Sequence, residues 1–163
     1  MANQDDRILD IIHKTRELFI GKGLTLSVAE SCTGGLISHF LTLLPGSSSF
    51  FKAGVVAYSE EMKKKILGVS PDIISSYGIV SEETAREMAE KVRDLTGSDY
   101  SVSTTGNLGP DVLEQKPRGL VYIALSREGL TTAKELKLER DREQNKEAAA
   151  MEALRFLLEM AAR

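Results

Sequence analysis

The sequence predicts an α/β fold, a three-layer α/β/α sandwich around a mixed, mainly parallel sheet of about five strands. Three observations carry that expectation. Helical and strand-like apolar periodicities alternate through the early part of the chain, as in a sheet whose parallel strands are joined by crossover helices. The segment Phe51 to Ser59 has an unbroken apolar centre, which points to a strand buried on both faces. Near the C-terminus two strand-like runs are separated only by Arg127-Glu128-Gly129-Leu130, short enough for a hairpin, so the last strands should be antiparallel.

Each element follows from its own residues. A first helix is expected from about Asp5 to Lys22, because Ile8, Ile11, Ile12, Leu18 and Phe19 share a face and Gly21 and Gly23 end it. A strand, Leu24 to Ala29, comes next. Beyond AESCTGG, Leu36, Ile37, Phe40, Leu41 and Leu44 recur at helical spacing, and Pro45 to Ser49 turns the chain into the Phe51 strand. Short helices are expected over Glu60 to Leu67 and Asp72 to Ser76. Ser81 and Thr84, offset by three with Glu82 and Glu83 between them, open another helix that stops near Gly97. Tyr100 to Thr104, Leu120 to Ser126 and Thr131 to Leu138 are the remaining strands. A final helix from about Asp141 to Ala161 should bury Ala149, Ala153, Leu154, Leu157 and Met160.

Composition narrows the function classes. The 163 residues suit a single domain spanning 1–163, with enough chain for a core that needs neither disulfides nor a structural metal. Cys32 is the only cysteine, so no intrachain disulfide forms, and a reducing, cytoplasmic setting fits. A net charge of −3, with 21 basic and 24 acidic residues intermixed and no Trp, argues against nucleic acid as a partner. No apolar run approaches the length of a membrane span, and a secretory signal pattern is not seen. A homo-oligomer is compatible with everything above.

The chemistry concentrates at Ala29 to Gly35, AESCTGG. It places two hydroxyls and a thiol where a strand becomes a helix, the usual position of ligands in open α/β sheets. Gly34 and Gly35 leave backbone N–H groups open to an anion or oxyanion. On local sequence alone, Ser31 or Thr33 serves equally well as a plain helix N-cap. His13 and His39 are the only histidines and read as helix-surface or core-edge residues, and no metal-ligand spacing occurs. A Ser–His–Asp arrangement is therefore weak, and a nucleophile here needs another base. Lys63, Lys64 and Lys65 follow Tyr58 and Ser59, and a buried lysine can serve as that base, although a lysine triplet also suits a solvated face. Cys32 is either a rival nucleophile or a small packing residue. Neither GKGLT nor TGNLGP has the spacing of a phosphate-binding loop. What remains coherent is a pocket at the strand ends, lined by Ser31 to Gly35, Ser47 to Ser49, Tyr58 to Lys63 and Thr104 to Gly106.

Taken in order, AESCTGG, PGSSSFFKAGVVAYS with Lys63 after it, LGVS, GIVSEETAREMA and TTG with GP shortly after resemble the CinA C-terminal domain family, over almost the whole chain. Members of that family include nicotinamide mononucleotide (NMN) deamidases of the PncC type, in pyridine-nucleotide salvage. The resemblance implies hydrolysis of the NMN carboxamide to nicotinate mononucleotide and ammonia, with no metal or other cofactor and a pyridine mononucleotide as the small-molecule partner. It makes Ser31 the nucleophile, Lys63 its base and Tyr58 the group that assists or orients that lysine. Ser48, Thr105 and Gly106 would line the site and hold the carboxamide or its tetrahedral intermediate. Arg142 would bind the ribose phosphate or complete the polar network, and Thr33, Gly34 and Gly35 would contribute to substrate binding.

Two stretches depart from the family pattern. Where relatives read TGIAGP, then GGT and KPVG, this chain has TGNLGPDVLEQKPRG, and Arg140 stands where a small residue precedes the Asp-Arg pair. The altered loop, Asn107 to Lys116, follows Thr105 and Gly106 directly. It keeps open an alternative, a non-catalytic or differently specific CinA-like small-ligand-binding protein.

Overall fold

The computed structural model describes residues 4–163, with side-chain surroundings from residue 6 onward. Helix α1 (Gln4–Lys22) leads into strand β1 (Leu26–Glu30), then α2 (Leu36–Thr42) and a 3₁₀ turn, Ser47–Ser49. Strand β2 (Phe51–Val56) is followed by α3 (Glu60–Met62), a π-helical turn (Lys63–Leu67), α4 (Pro71–Tyr77) and α5 (Glu82–Thr96). Strands β3 (Tyr100–Gly106), β4 (Leu120–Arg127) and β5 (Leu130–Lys137) precede α6 (Arg142–Ala161). Among the described residues, no helix is long and apolar enough to cross a membrane.

The sheet has the order β2-β1-β3-β4-β5. Strand β1 runs parallel to both β2 and β3, whereas β4 is antiparallel to β3 and to β5. Four strands thus share one direction and β4 alone opposes them, as a crossover architecture followed by a hairpin requires. Arg127 pairs with Leu130 across the two-residue turn Glu128-Gly129, where Gly129 takes φ 71. Helices α1, α2 and α6 cover one face, and α5 with α4 covers the other. Leu26, Val28, Val102, Val121, Ile123 and Leu125 pack under the first layer with Ile12, Phe19, Leu154 and Leu157. The second layer lies close because α5 meets the sheet with Ala85 and Ala89, and Ser101 and Ser103 of β3 donate to the carbonyls of Ala89 and Ala85.

One expectation about the strands fails. Phe51 to Ser59 is not a doubly buried central strand: β2 is the sheet edge, stops at Val56, and exposes every second residue. An apolar run cannot by itself distinguish a central strand from an edge strand whose inner residues suffice to cover one neighbour. Met160, expected in the core, is only partly buried.

Candidate active site

The crossovers fix where a site can form. From the C-terminal end of β1 the chain moves to β2 on one side, and the route to β3 lies across the opposite face. The ends of β1 and β3 therefore diverge around a crevice, the switch point of the sheet. Glu30 pairs with Thr104 in register, so Ser31, just past the end of β1, comes beside Thr105 near the end of β3. A cavity of about 390 Å³ opens there, lined by Ser31, Cys32, Tyr58, Lys63, Thr105 and Arg142 together with loop residues 106–111 and 113 and the pair Ile79 and Val80. A larger groove of about 740 Å³ runs between β5 and α6, but among the described residues no hydroxyl, thiol or imidazole lines it.

Ser31 owes its position to the residue before it. The Glu30 carboxylate is fully buried and accepts four hydrogen bonds, from Thr33 Oγ1 (2.7 Å), Ile37 N (2.8 Å), Ser38 N (3.0 Å) and Ser38 Oγ (2.8 Å). Helix α2 is thus capped from the strand, and neither Ser31 nor Thr33 acts as its N-cap: that position is Gly35, at φ 97, with no side-chain cap bond. The positive end of the helix is already satisfied by a carboxylate, so the anion role sought for its first N–H groups falls to Glu30. The turn is pinned further by Ser31 N–H to the Thr104 carbonyl and Gly34 N–H to the Ser31 carbonyl. Glu30→Gln would aim an amide NH₂ at donors and leave at least one of them unpaired in the interior. The expected loss is about 2–3 kcal/mol of stability, read as a lower urea midpoint at unchanged slope; an unchanged midpoint would show that the four bonds do not hold the turn.

Lys63 is the most unusual residue of the chain. Its side chain is 1% exposed, and Nζ lies 2.8 Å from Ser31 Oγ and 3.0 Å from the Tyr58 carbonyl. It opens the π-helical turn, where the wider winding re-aims a side chain away from the surface its neighbours keep. Lys64 and Lys65 instead pair on the outside with Glu60 and Glu61. Burial lowers the Lys63 pKa from 10.5 to about 8, against the opposing pull of acidic groups that include Glu114 and Glu60. A neutral amine is therefore accessible near neutral pH, facing a hydroxyl at hydrogen-bond distance.

That shift has a consequence for stability. The folded protein releases the Lys63 proton at lower pH than the unfolded chain, so between about pH 8 and 10.5 the unfolded state binds more protons and stability rises with pH. Below that window the buried ammonium costs its full amount. Lys63→Met is accordingly expected to raise Tm near neutral pH, by an advantage over wild type that shrinks toward about pH 10. Calorimetry of both proteins at the two pH values tests this, and a constant difference would contradict it.

The remaining lining groups divide by what they can still offer. Burial pushes the Cys32 thiol up to about 12, so it stays protonated and joins the hydrophobic core. Thr105 Oγ1 donates to the Ile79 carbonyl at 2.6 Å, which can only accept. With its proton committed, Thr105 can accept a bond from a ligand N–H but cannot donate to an oxyanion. Tyr58 reaches Lys63 through its backbone carbonyl, and its exposed phenol accepts from Arg142 Nη2 at 2.9 Å. Arg142 also donates to the Gly109 carbonyl, which ties the first turn of α6 to the loop after β3.

Comparison with known proteins decides the family. The family model of the CinA C-terminal domain matches residues 9–161. The chain belongs to the CinA C-terminal domain family. A competence-damage inducible protein of Desulforudis audaxviator is 52% identical over 111 residues, 68% of this chain and 27% of that protein. Another from Clostridium novyi is 44% identical over 142 residues, 86% of this chain and 34% of that protein. The chain thus spans about a third of the length of the curated relatives it matches. Among solved structures, competence damage-inducible protein A of Klebsiella pneumoniae superposes with a TM-score of 0.93 at 30% identity, over 96% of this chain and 98% of that one. A CinA superfamily protein of Escherichia coli gives a TM-score of 0.93 at 31% identity, over 98% and 94%.

Within this CinA domain the expected site residues do not all meet. Ser31, Lys63, Tyr58, Thr105, Gly106 and Arg142 surround the cavity. Thr33, Gly34, Gly35 and Ser48 are not among its lining residues. Thr33 is buried beneath the turn, bonded to Glu30 and to Thr104 Oγ1 at 2.8 Å. Gly34 lies under the Lys146 ammonium, Gly35 begins α2, and Ser48 is exposed on the 3₁₀ turn. Gly106 has a packing reason, because a Cβ there would collide with Val121 and the Leu120 carbonyl on β4. Arg140, in place of a small residue, keeps a negative φ and exchanges two hydrogen bonds with the buried Asn145.

The sequence reading missed Glu30 and the residues that shape the loop after β3. A carboxylate ending an apolar strand, directly before a turn into a helix whose N–H groups attract negative charge, was the available signal for Glu30. Asn107 is 2% exposed, donates through Nδ2 to the carbonyls of Leu113 and Lys116, and accepts from Leu113 N–H at 3.0 Å. The residue that departs from the family pattern therefore folds the loop on itself.

Proposed function

We propose that this chain is an amidohydrolase that converts NMN to nicotinate mononucleotide and ammonia through a Ser31–Lys63 pair. The observation that carries the reading is the 2.8 Å contact between Ser31 Oγ and a buried lysine whose pKa is about 8. Neutral Lys63 takes the proton of Ser31 as Oγ attacks the carboxamide carbon. The ammonium so formed protonates the amide nitrogen, the C–N bond breaks, and ammonia leaves behind an ester on Ser31. Water then gives its proton to Lys63 and adds to the ester, and collapse returns that proton to Ser31 as the acid departs. Thr105, an acceptor only, suits the carboxamide N–H, and Arg142 at the rim suits an anionic group of the nucleotide.

A second reading has its own support. Leu113 stands in the cavity wall where relatives carry a glycine-rich stretch, and a bulkier wall favours a different amide or a ligand that is only bound. Incubation of the purified protein with NMN separates the two. The first reading predicts equimolar ammonia and nicotinate mononucleotide, and a folded protein that yields neither contradicts it.

A further inference from the structure

We propose that Glu114 is a positioning residue of this site, fastening loop 107–118 onto the elbow at 78–80 and thereby setting Thr105 and the wall that faces Ser31. Ile79 and Val80 line the cavity, and their backbone N–H groups donate to the Glu114 carboxylate, at 2.7 Å to Oε1 and 3.2 Å to Oε2. Lys116 Nζ, 3.2 Å from Glu114 Oε2, donates in turn to the carbonyls of Tyr77 and Val80. The Ile79 carbonyl accepts from Thr105 Oγ1. One short elbow is thus gripped from both sides, its N–H groups by the loop and its Ile79 carbonyl by the end of β3.

Three further features show that this grip is built into the chain. Glu114 and Gln115 adopt φ 55 and φ 57, a left-handed backbone that residues other than glycine hold only where the surroundings over-determine it. Gly78, at φ 89, has no room for a Cβ, which would overlap the Glu114 carboxylate. Bonds from backbone N–H groups to an ionised carboxylate are also stronger than neutral ones. The same charge acts on Lys63: together with Glu60, Glu114 is an acidic group whose field favours the ammonium, against the burial that disfavours it, while the Cys32 thiol beside them stays neutral. Lys116 is the charged partner facing Glu114 itself.

The substrate consequence rests on the deamidase reading, whereas the structural one does not. Glu114→Ala should speed amide hydrogen exchange at Ile79 and Val80 by at least about tenfold. It should raise KM for NMN about tenfold with a smaller change in kcat, because a wall that binds has loosened while the Ser31–Lys63 contact is retained. Glu114→Gln keeps one acceptor oxygen without the charge, so KM should rise about threefold. Both variants remove the negative charge, so NMR titration of the Lys63 ammonium should give a midpoint below that of the wild type in each; a purely structural role would not move it. Exchange at Ile79 and Val80 that stays at the wild-type rate, or an unmoved Lys63 midpoint in both variants, would overturn the proposal. If even the wild type leaves NMN intact while the exchange and titration changes appear, the deamidase reading fails and the positioning role stands.

Discussion

Ser31→Ala is expected to lower kcat for NMN hydrolysis by at least about 10³-fold, because the nucleophile of an acyl-transfer pair has no substitute that keeps the same steps. The fold should survive. The N–H groups of α2 are held by Glu30, so removing the Ser31 hydroxyl deletes no cap, and Lys63 keeps the Tyr58 carbonyl as a partner. Stability should fall by only about 1–2 kcal/mol, the worth of the buried hydrogen bond to Lys63 that is lost. Cys32→Ala is the matching control, since a thiol with its pKa near 12 contributes packing and no thiolate. Steady-state ammonia release from the two variants checks this, and turnover lost with Cys32 but kept without Ser31 would transfer the nucleophile to the thiol.

Lys63→Arg is expected to be as inactive as Ser31→Ala, again by at least about 10³-fold, because a guanidinium does not deprotonate in proteins and cannot take the serine proton. Size is not the issue. Lys63→Met, which is expected to be better folded than wild type near neutral pH, should fail equally, and that separates loss of the base from loss of the fold. Wild-type activity should climb as pH rises through about 8, where the lysine becomes neutral. Lys64→Ala and Lys65→Ala remove only exposed i,i+4 pairs with Glu60 and Glu61, so each should keep its turnover and lose less than about 0.5 kcal/mol. Ammonia release at several pH values reads all four, and a Lys63→Arg protein with wild-type rates would reduce the lysine to a binding group.

How much of this was legible in the sequence depends on how local each cause is. Helices α1 and α6 are readable because their apolar residues recur at helical spacing, α5 because Ser81 to Thr84 opens it and Gly97 ends it, and the β4–β5 hairpin because only Arg127 to Leu130 separates its strand-like runs. Strand β2 was misplaced, since Phe51–Val56 has the composition of a central strand and only the sheet order makes it an edge. At the site, AESCTGG and the lysine triplet were visible as motifs. Periodicity did not say which lysine turns inward, because the π-helical turn that selects Lys63 leaves no periodic signature of its own; only the family resemblance pointed to Lys63. The Glu114 grip was out of reach for a different reason: its partners, Ile79 and Val80, lie 35 and 34 residues away in sequence and are joined to it only by the fold. Glycines were half-readable, since bare backbone at Gly34 and Gly35 suggested anion binding while the structure uses it to seat a turn over a buried carboxylate.

The central claim is a covalent step at Ser31, and hydroxylamine added during NMN turnover tests it most directly. An ester on Ser31 partitions between water and the stronger nucleophile. The wild-type protein should therefore release the hydroxamate of nicotinate mononucleotide at the expense of the acid, with ammonia still formed in an amount equal to the sum of the two. Ser31→Ala should form neither product. Turnover that yields only the acid, however much hydroxylamine is present, would mean that water attacks the carboxamide directly and that Ser31 is not the nucleophile.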